Sequence, residues 1–241
     1  MKNIKEPISI VFPVYNEEII IEKTITDYYN EFNGVTKFEI IVREDGSTDK
    51  TKEILKKLSK KFPIRLYMSN VRKGYQWSII DAIKYVKYDW VFLVDSDYQY
   101  KPNDFWKLAE YKDNYDIILG RRSKRMDPPH RIFLSKGMNF LIKRLFHTPY
   151  IDITPGFRLI RKTVLEKVIP NLHTLSFFSA ELIIRAHCLG YRIKEVPITH
   201  LRRKQGSTNV FHLYKLPKMV FKEFIKLFKL KSELSKLTIL R

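Results

Sequence analysis

Two carboxylates follow an apolar run near the middle of the chain, and their position is the best sequence evidence for chemistry. Trp90 to Val94 is apolar and has the length of a strand, and Asp95 and Asp97 come directly after it. Two charges at the end of a buried strand are costly unless a cation compensates them. Carboxylates on one loop suit Mg²⁺ or Mn²⁺, which take their remaining ligands from water and substrate phosphate. An acidic pair in an ordinary surface turn is the alternative.

Two earlier strand ends also carry polar side chains. Ile8 to Val14 is followed by Tyr15-Asn16-Glu17, and Phe38 to Val42 is followed closely by Glu44-Asp45-Gly46-Ser47. Each of these segments could also be an ordinary strand-to-helix turn with a helix cap. In open α/β sheets, however, ligands bind beyond the carboxyl ends of the strands. The three loops together therefore predict one binding site at that edge.

The arrangement of apolar segments predicts an α/β fold. The first half alternates segments of strand and helix period, which favours a mostly parallel sheet with helices on both faces. The expected strands are residues 8–14, 38–42, 64–68, 90–94, 117–119 and 193–196. The expected helices are residues 17–29, 48–61, 78–86, 132–146, 179–189 and 218–230, and residues 150–157 are expected to form a loop. We expect a catalytic domain over residues 1–210 and a basic helical extension over residues 211–241.

The charge of the chain favours anionic partners. Its 45 Lys and Arg residues against 26 Asp and Glu residues give a formal net charge of +19. Such a charge attracts nucleic acid, anionic membranes or phosphorylated substrates, although solvated lysines alone would also produce it. The basic residues form no recognised nucleic-acid motif, so we expect no nucleic-acid partner. The single cysteine, Cys188, rules out an intramolecular disulfide and fits a reducing compartment.

The two ends of the chain bear on localisation. The N-terminus lacks the apolar core of a signal peptide, and no apolar run approaches the length of a membrane span. The last helix carries an apolar stripe of Val220, Phe221, Phe224, Ile225 and Phe228 and a basic stripe of Lys218, Lys222, Lys226 and Lys229. This pattern is typical of a helix lying on an anionic membrane, although a helix docked on its own domain would show it too. We expect a cytoplasmic protein that binds the cytoplasmic face of a membrane peripherally.

Several of these motifs, taken together, resemble a known enzyme family. Residues 11–18, 44–49 and 95–97 resemble, in order and separation, the family 2 inverting glycosyltransferases with the A-type nucleotide-sugar fold. Residues 95–99, 152–158 and 190–198 are similar to the polyprenyl-phosphate glycosyltransferases, typified by dolichol-phosphate mannose synthase. The resemblance covers roughly residues 7 to 210. The chain departs from it at Pro155, where a Ser is usual, and at Tyr75-Gln76-Trp77, where small residues are usual.

The resemblance implies a role for individual residues. A GDP- or UDP-sugar would be held by Pro13, Tyr15, Glu17, Asp45, Lys73 and Asp95. The Mg²⁺ or Mn²⁺ ion would be held by Asp95, Asp97 and Gln99. The phosphate of the acceptor lipid would be held by Arg122, Arg131, Ser135 and Arg203. Arg131 and Ser135 are four residues apart, so one helix face could present both.

The implied reaction moves mannose or glucose from the nucleotide to dolichyl or undecaprenyl phosphate with inversion. A phosphate acceptor is already anionic and needs cationic positioning more than a general base. Asp97 and Asp152 are the candidate catalytic carboxylates, Asp152 as a base or an orienting group, or else as a turn-forming residue. Two other functions stay open: a soluble glycosyltransferase acting on a hydroxyl of a glycan or lipid, and a non-enzymatic nucleic-acid-binding protein.

Overall fold

The structure is a computed structural model that describes residues 6–172, 178–203 and 216–239, without the side chains of residues 130–131, 216–220 and 237–239. Its described strands form one sheet in the order β3-β2-β1-β4-β6-β5-β7. The strands are β1 (Ile8–Val14), β2 (Phe38–Glu44), β3 (Ile64–Met68), β4 (Trp90–Val94), β5 (Ile117–Arg122), β6 (Phe157–Arg161) and β7 (Ile193–Ile198). Strands β1 to β4 run parallel, β6 is antiparallel to both of its neighbours, and β7 is parallel to β5.

The helices cover both faces of this sheet. They are α1 (Ile21–Phe32), α2 (Thr51–Lys61), α3 (Tyr75–Ile83), α4 (Phe105–Ala109), α5 (Pro129–Phe146), α6 (Lys162–Val168), α7 (Phe178–Cys188) and α8 (Leu216–Ile239). Short 3₁₀ turns cover Pro102–Asp104 and Ile169–Asn171. Because side chains alternate along a strand, β1 sends Ile10 and Phe12 to the core under α1, α2 and α4, and Val11 to the opposite core. That opposite core takes side chains from α3 and α5 to α8.

The expected α/β architecture is confirmed, with one additional strand and two additional short helices. Strands 8–14, 64–68 and 90–94 have the bounds that the sequence predicts. Strand β6 was not predicted from the sequence. It lies between β4 and β5 and runs antiparallel to both. The short helices α4 and α6 were not predicted either. The site-forming strands β1, β2 and β4 are therefore as expected, and their neighbour β6 is new.

Helix α8 packs on the sheet through a different stripe from the one that the sequence drew attention to. Leu227, Leu230 and Leu234 are buried in the same core as the sheet. Phe224 and Phe228 remain 41% and 45% exposed. The helix therefore docks on the rest of the protein through its leucines, and the expectation that it lies on a membrane stays a prediction. The expected domain boundary at residues 210 and 211 lies outside the described residues.

A buried ionic network adds to this docking. Arg185 of α7 contacts Glu181 at 2.8 Å and Glu233 of α8 at 3.0 Å. Glu181 is fully buried and Arg185 is 3% exposed, so each charge depends on its partner. Within the part of the chain that the structure describes, no helix is long and apolar enough to cross a membrane.

Candidate active site

A cavity of about 580 Å³ opens at the carboxyl ends of β1, β2 and β4. Seven of the residues singled out in the sequence line it, namely Pro13, Tyr15, Glu17, Asp45, Lys73, Asp95 and Asp97. They come from four separate loops, and the parallel strands bring those loops to one edge. The lining also includes residues to which the sequence assigned no role, among them Arg72, Tyr75, Gln76, Thr154, Phe178 and Ser179.

The loops after β1 and β2 are locked to each other by hydrogen bonds. Asn16 has a left-handed backbone (φ 51°), and its side-chain oxygen accepts from the Thr48 N–H at 2.9 Å. Its own N–H donates to the hydroxyl of Ser47 at 3.0 Å, and the Glu17 N–H donates to the hydroxyl of Thr51 at 2.9 Å. Asn is among the few residues that tolerate this backbone conformation. The resulting contacts fix Tyr15 and Glu17 relative to Asp45.

Asp45 organises the loop that contains Lys73. Its two carboxylate oxygens accept the backbone N–H groups of Lys73 at 2.8 Å and Gly74 at 2.7 Å. Gly46 makes the close approach of the two loops possible, because a Cβ there would lie 2.5 Å from the Arg72 backbone nitrogen. Gly46 also has a φ of 73°, which suits glycine. A carboxylate that the sequence assigned to the nucleoside therefore also shapes the wall of the cavity.

Cations lie over two aromatic rings at this wall. The Arg72 guanidinium is 4.1 Å from the centre of the Tyr15 ring, and the Lys73 ammonium is 4.1 Å from the centre of the Trp77 ring. Such contacts are attractive because the face of an aromatic ring carries partial negative charge. One face of Tyr15, a residue expected to hold the nucleotide-sugar, is thus covered by Arg72 in this structure.

Asp95 is enclosed by Tyr75 and Gly156. The Tyr75 hydroxyl donates to Asp95 Oδ1 at 2.8 Å, and the Asp95 N–H donates to the Gly156 carbonyl at 3.1 Å. Gly156 packs directly on the carboxylate, since a Cβ there would lie 2.1 Å from both oxygens. Burial raises the pKa of Asp95, and the Tyr75 hydrogen bond and the charge of Arg158 oppose that rise. Arg158 of β6 is itself only 1% exposed.

Asp97 is the second carboxylate of the pair. Burial, and then repulsion from Asp95, raises the pKa of Asp97 to about 6. The backbone N–H of Gln99 donates to Asp97 Oδ1 at 3.2 Å. The side chain of Gln99 donates to the Leu201 carbonyl at 3.3 Å, and Gln99 is not among the residues that line the cavity. The assignment of Gln99 as a metal ligand stays a prediction.

Arg203 closes one side of this acidic cluster. Its Nη2 lies 2.6 Å from Glu17 Oε1. Burial raises the pKa of Glu17 to about 7, while Arg203 acts in the opposite direction. The charge of Arg203 also favours the ionised forms of Asp95 and Asp97. A residue expected at the acceptor phosphate therefore lies against the donor cavity in this structure.

The other residues expected at the acceptor phosphate are engaged with protein groups. Arg122 makes two hydrogen bonds of 2.8 Å to Asp152 and one of 2.8 Å to the hydroxyl of Thr154. The hydroxyl of Ser135 accepts from Arg125 at 2.7 Å. Although burial acts against ionisation, the pKa of Asp152 is lowered by Arg122. This favours an orienting group over a base for Asp152. The side chain of Arg131 lies outside the described residues.

The pair Asp95 and Asp97 fits a divalent metal carried by a diphosphate better than a metal held by protein alone. In residues 6–172, 178–203 and 216–239 no group of three or more His, Cys, Asp or Glu side chains is arranged to hold a metal. Two desolvated carboxylates with raised pKa values nevertheless favour a nearby cation. Mg²⁺ and Mn²⁺ accept such an incomplete set, because water and phosphate complete their coordination.

The family follows from the sequence match. Residues 9–169 match the family described as glycosyl transferase family 2. The chain belongs to glycosyltransferase family 2. The resemblance expected from the loops at residues 11–18, 44–49 and 95–97 is therefore confirmed.

Curated relatives in this family act on polyprenyl phosphates by name. Undecaprenyl-phosphate 4-deoxy-4-formamido-L-arabinose transferase of Edwardsiella ictaluri is 28% identical over 218 residues, covering 89% of this chain and 66% of the relative. Dolichol-phosphate mannosyltransferase of Pyrococcus furiosus is 29% identical over 230 residues, covering 88% and 64%. Dolichyl-phosphate β-glucosyltransferase of Trichomonas vaginalis is 31% identical over 208 residues, covering 79% and 64%. The chain spans just under two-thirds of the length of these relatives.

Solved structures share the fold. Glucosyl-3-phosphoglycerate synthase of Mycobacterium tuberculosis, in complex with Mn²⁺, UDP and phosphoglyceric acid, has a TM-score of 0.71 at 19% identity, covering 94% of this chain and 78% of that chain. The same enzyme with Mn²⁺, UDP-glucose and glycerol 3-phosphate has a TM-score of 0.69 at 18% identity, covering 94% and 80%. The expected A-type glycosyltransferase fold is thereby confirmed.

Proposed function

We propose that this chain transfers a sugar from a nucleotide-sugar to a polyprenyl phosphate, with a divalent metal at Asp95 and Asp97. The observation that carries the proposal is the convergence of seven sequence-selected residues on one cavity at the sheet edge. The names of the relatives support the acceptor class, because all three contain undecaprenyl, dolichol or dolichyl phosphate. The UDP and Mn²⁺ of the structural neighbour support the donor class and the metal.

The chemistry assigned to these residues is a single displacement. An oxygen of the acceptor phosphate attacks the anomeric carbon, the bond from that carbon to the diphosphate breaks, and the nucleoside diphosphate leaves. The metal would neutralise charge on the leaving diphosphate. Asp95 and Asp97 would hold the metal, while Lys73 and the amide-bound Asp45 shape the nucleotide side of the cavity. The acceptor is already an anion, so the site has to position it and needs no base.

The acceptor side requires positive charge next to the donor cavity. The charges of Arg122 and Arg203 both favour the ionised form of Asp95, so positive charge lies near this carboxylate. Arg203 contacts Glu17 at 2.6 Å, and an incoming phosphate would compete with that carboxylate for the guanidinium. Arginine suits this role because its planar guanidinium can bind two phosphate oxygens at once.

A lipid acceptor also requires a membrane, and α5 and α8 supply a surface for one. Phe133 and Phe140 of α5 are 78% and 71% exposed, and Phe221 of α8 is 65% exposed. The two helices pack against each other, and exposed Lys222 and Lys229 accompany the aromatic side chains of α8. Aromatic side chains beside lysines are typical of helices that lie at an anionic interface. We propose that this surface binds the membrane that contains the acceptor.

The function is tested by incubating the purified chain with UDP- and GDP-sugars, Mn²⁺ or Mg²⁺, and a short-chain polyprenyl phosphate. We expect a polyprenyl-phosphate sugar that mass spectrometry detects, and no product when a chelator is present. The neutral polyprenol is the matched control acceptor. Transfer to the alcohol or to a free glycan, with none to the phosphate, would contradict the proposal.

The membrane surface is tested by co-sedimentation with vesicles. Removing two lysines of α8, Lys222→Gln with Lys229→Gln, should weaken binding to anionic vesicles roughly tenfold or more, since each Lys near such a surface contributes about 1 kcal/mol. The control pair is Lys56→Gln with Lys57→Gln, which lies on exposed positions of α2. Equal losses from both pairs would mean that net charge, and not this surface, drives binding.

A further inference from the structure

Glu195 lies in the segment of residues 190–198 that resembles the family but has no assigned role. It belongs to β7, at the edge of the sheet, and is paired with Leu119 of β5. Its carboxylate oxygens accept two successive backbone N–H groups, from Ile151 at 2.8 Å and from Asp152 at 2.7 Å. Hydrogen bonds to an ionised carboxylate are stronger than those between neutral groups. Glu195 therefore fixes the backbone at Asp152.

Asp152 in turn fixes the side chain of Arg122. Asp152 is 5% exposed and makes a two-pronged contact with Arg122, from Nε and Nη2 at 2.8 Å each. Arg122 ends β5 and pairs there with Ile198 of β7. Strand β7 thus holds both members of the ion pair, Arg122 through the sheet and Asp152 through Glu195. Residues 151–156 form no helix or strand of their own, so these side-chain contacts set the position of the loop.

The geometry of Arg122 shows why its position depends on Asp152. Its Nε and Nη2 are committed to Asp152 and Thr154. Its Nη1 is 3.7 Å from Asp127, beyond ordinary hydrogen-bond length. Nη1 is therefore the guanidinium nitrogen that can contact an incoming anion, and the two bonds to Asp152 determine where it points. A shift of about 1 Å in such a group is enough to cost on the order of a hundredfold in rate.

We propose that Glu195 is a positioning residue for the acceptor phosphate, acting through the Asp152 backbone and the Arg122 guanidinium. This inference rests on the proposed function, because it assigns Arg122 to the phosphate of the acceptor. The proposal gives the segment of residues 190–198 a role in acceptor binding in addition to its role as the edge strand of the sheet. If Glu195 only supported the sheet edge, its substitution would affect acceptor binding and donor binding equally.

The experiment is a double-mutant cycle of Glu195→Gln and Asp152→Asn. The matched control is Glu166→Gln, at an exposed position of α6. The amide that Glu195→Gln introduces keeps one acceptor oxygen and places a donor against the other N–H. One lost charge-assisted bond should raise the KM for a short-chain polyprenyl phosphate about tenfold and leave the KM for the nucleotide-sugar within twofold. In the Asp152→Asn variant, adding Glu195→Gln should raise the KM for the polyprenyl phosphate by less than a further twofold, because Glu195 acts through Asp152.

Two outcomes would overturn the inference. One is full additivity of the two substitutions, and the other is an equal rise in both KM values. Amide hydrogen exchange keeps the test separate from the proposed function: Glu195→Gln should lose protection at Ile151 and Asp152, whether or not the wild-type chain uses a polyprenyl phosphate. Unchanged protection there would also refute the role of Glu195. Failure of the wild-type chain on every polyprenyl phosphate would refute the proposed function instead.

Discussion

Replacing Gly156 by alanine should remove metal-dependent nucleotide binding without unfolding the protein. The new Cβ would lie 2.1 Å from both carboxylate oxygens of Asp95, which is far inside van der Waals contact. The atoms in the way belong to the end of a side chain, so Asp95 can rotate aside while the backbone stays in place. That rotation would break the Tyr75 hydrogen bond of 2.8 Å and turn the carboxylate away from the cavity. We therefore expect the fold to survive and the proposed metal site to be lost.

The size of the effect follows from the displaced carboxylate. Disturbing the groups around a metal ligand typically lowers metal affinity about 10- to 100-fold, or roughly 1.4 to 2.7 kcal/mol. Overpacking costs stability as well, about 1 to 3 kcal/mol in a well-packed core and toward the lower end where a side chain can yield. We therefore expect UDP affinity in the presence of Mn²⁺ to fall at least tenfold, and UDP affinity without metal to stay within twofold.

The assay is titration calorimetry with UDP, with and without Mn²⁺, alongside thermal unfolding of the same sample. Gly137→Ala is the matched control, because a Cβ at this exposed helix position meets nothing within 4 Å. Alanine in a helix is favoured over glycine by about 0.5 to 1 kcal/mol, so this control should be slightly stabilised. Metal-dependent UDP binding by Gly156→Ala within twofold of wild type would refute the packing of Gly156 on Asp95.

Three further predictions concern stability. Asp97→Asn should stabilise the ligand-free protein by about 3 kcal/mol well above pH 6 and by nothing near pH 3, since the pKa of Asp97 rises from 3.8 to about 6 on folding. His200 has the opposite pH dependence, because burial lowers its pKa to about 4. The free energy of unfolding therefore falls as the pH falls from 6.5 to 4. His200→Gln should flatten that part of the plot of unfolding free energy, measured with urea, against pH. Arg185→Met should cost about 3 to 5 kcal/mol in urea unfolding because it removes the buried ion pair between Arg185 and Glu181, and adding Glu181→Gln should recover part of the loss.

The cavity at the sheet edge was predictable because its signals are local. Strands β1, β2 and β4 each contain an apolar segment, and a polar loop follows closely after each segment. Parallel pairing then brings the loop ends together without any further information from the sequence. The cavity lined by Glu17, Asp45 and Asp97 needed only these two facts.

The acceptor side was less predictable because its contacts depend on pairing. Arg121, Arg122, Lys124 and Arg125 lie close together in sequence, and nothing local shows which of them meets Asp152. The structure selects Arg122, through the register of β5 with β7 and the hydrogen bonds that the backbone of Ile151 and Asp152 donates to Glu195. Which charges pair is a tertiary property, so the residue types could be identified from the sequence and their partners could not.

The unpredicted strand β6 shows what the acidic pair requires from the rest of the fold. Its antiparallel course places Gly156 against Asp95 and buries Arg158 nearby, with Arg158 favouring the ionised carboxylate. Even with that help, burial raises the pKa of both Asp95 and Asp97. The ligand-free protein is thus less stable than it would be with neutral groups at these positions, because two desolvated charges lack full compensation. In the proposed function, the divalent cation that accompanies the diphosphate would supply the missing positive charge, so the same arrangement that weakens the empty fold would favour donor binding.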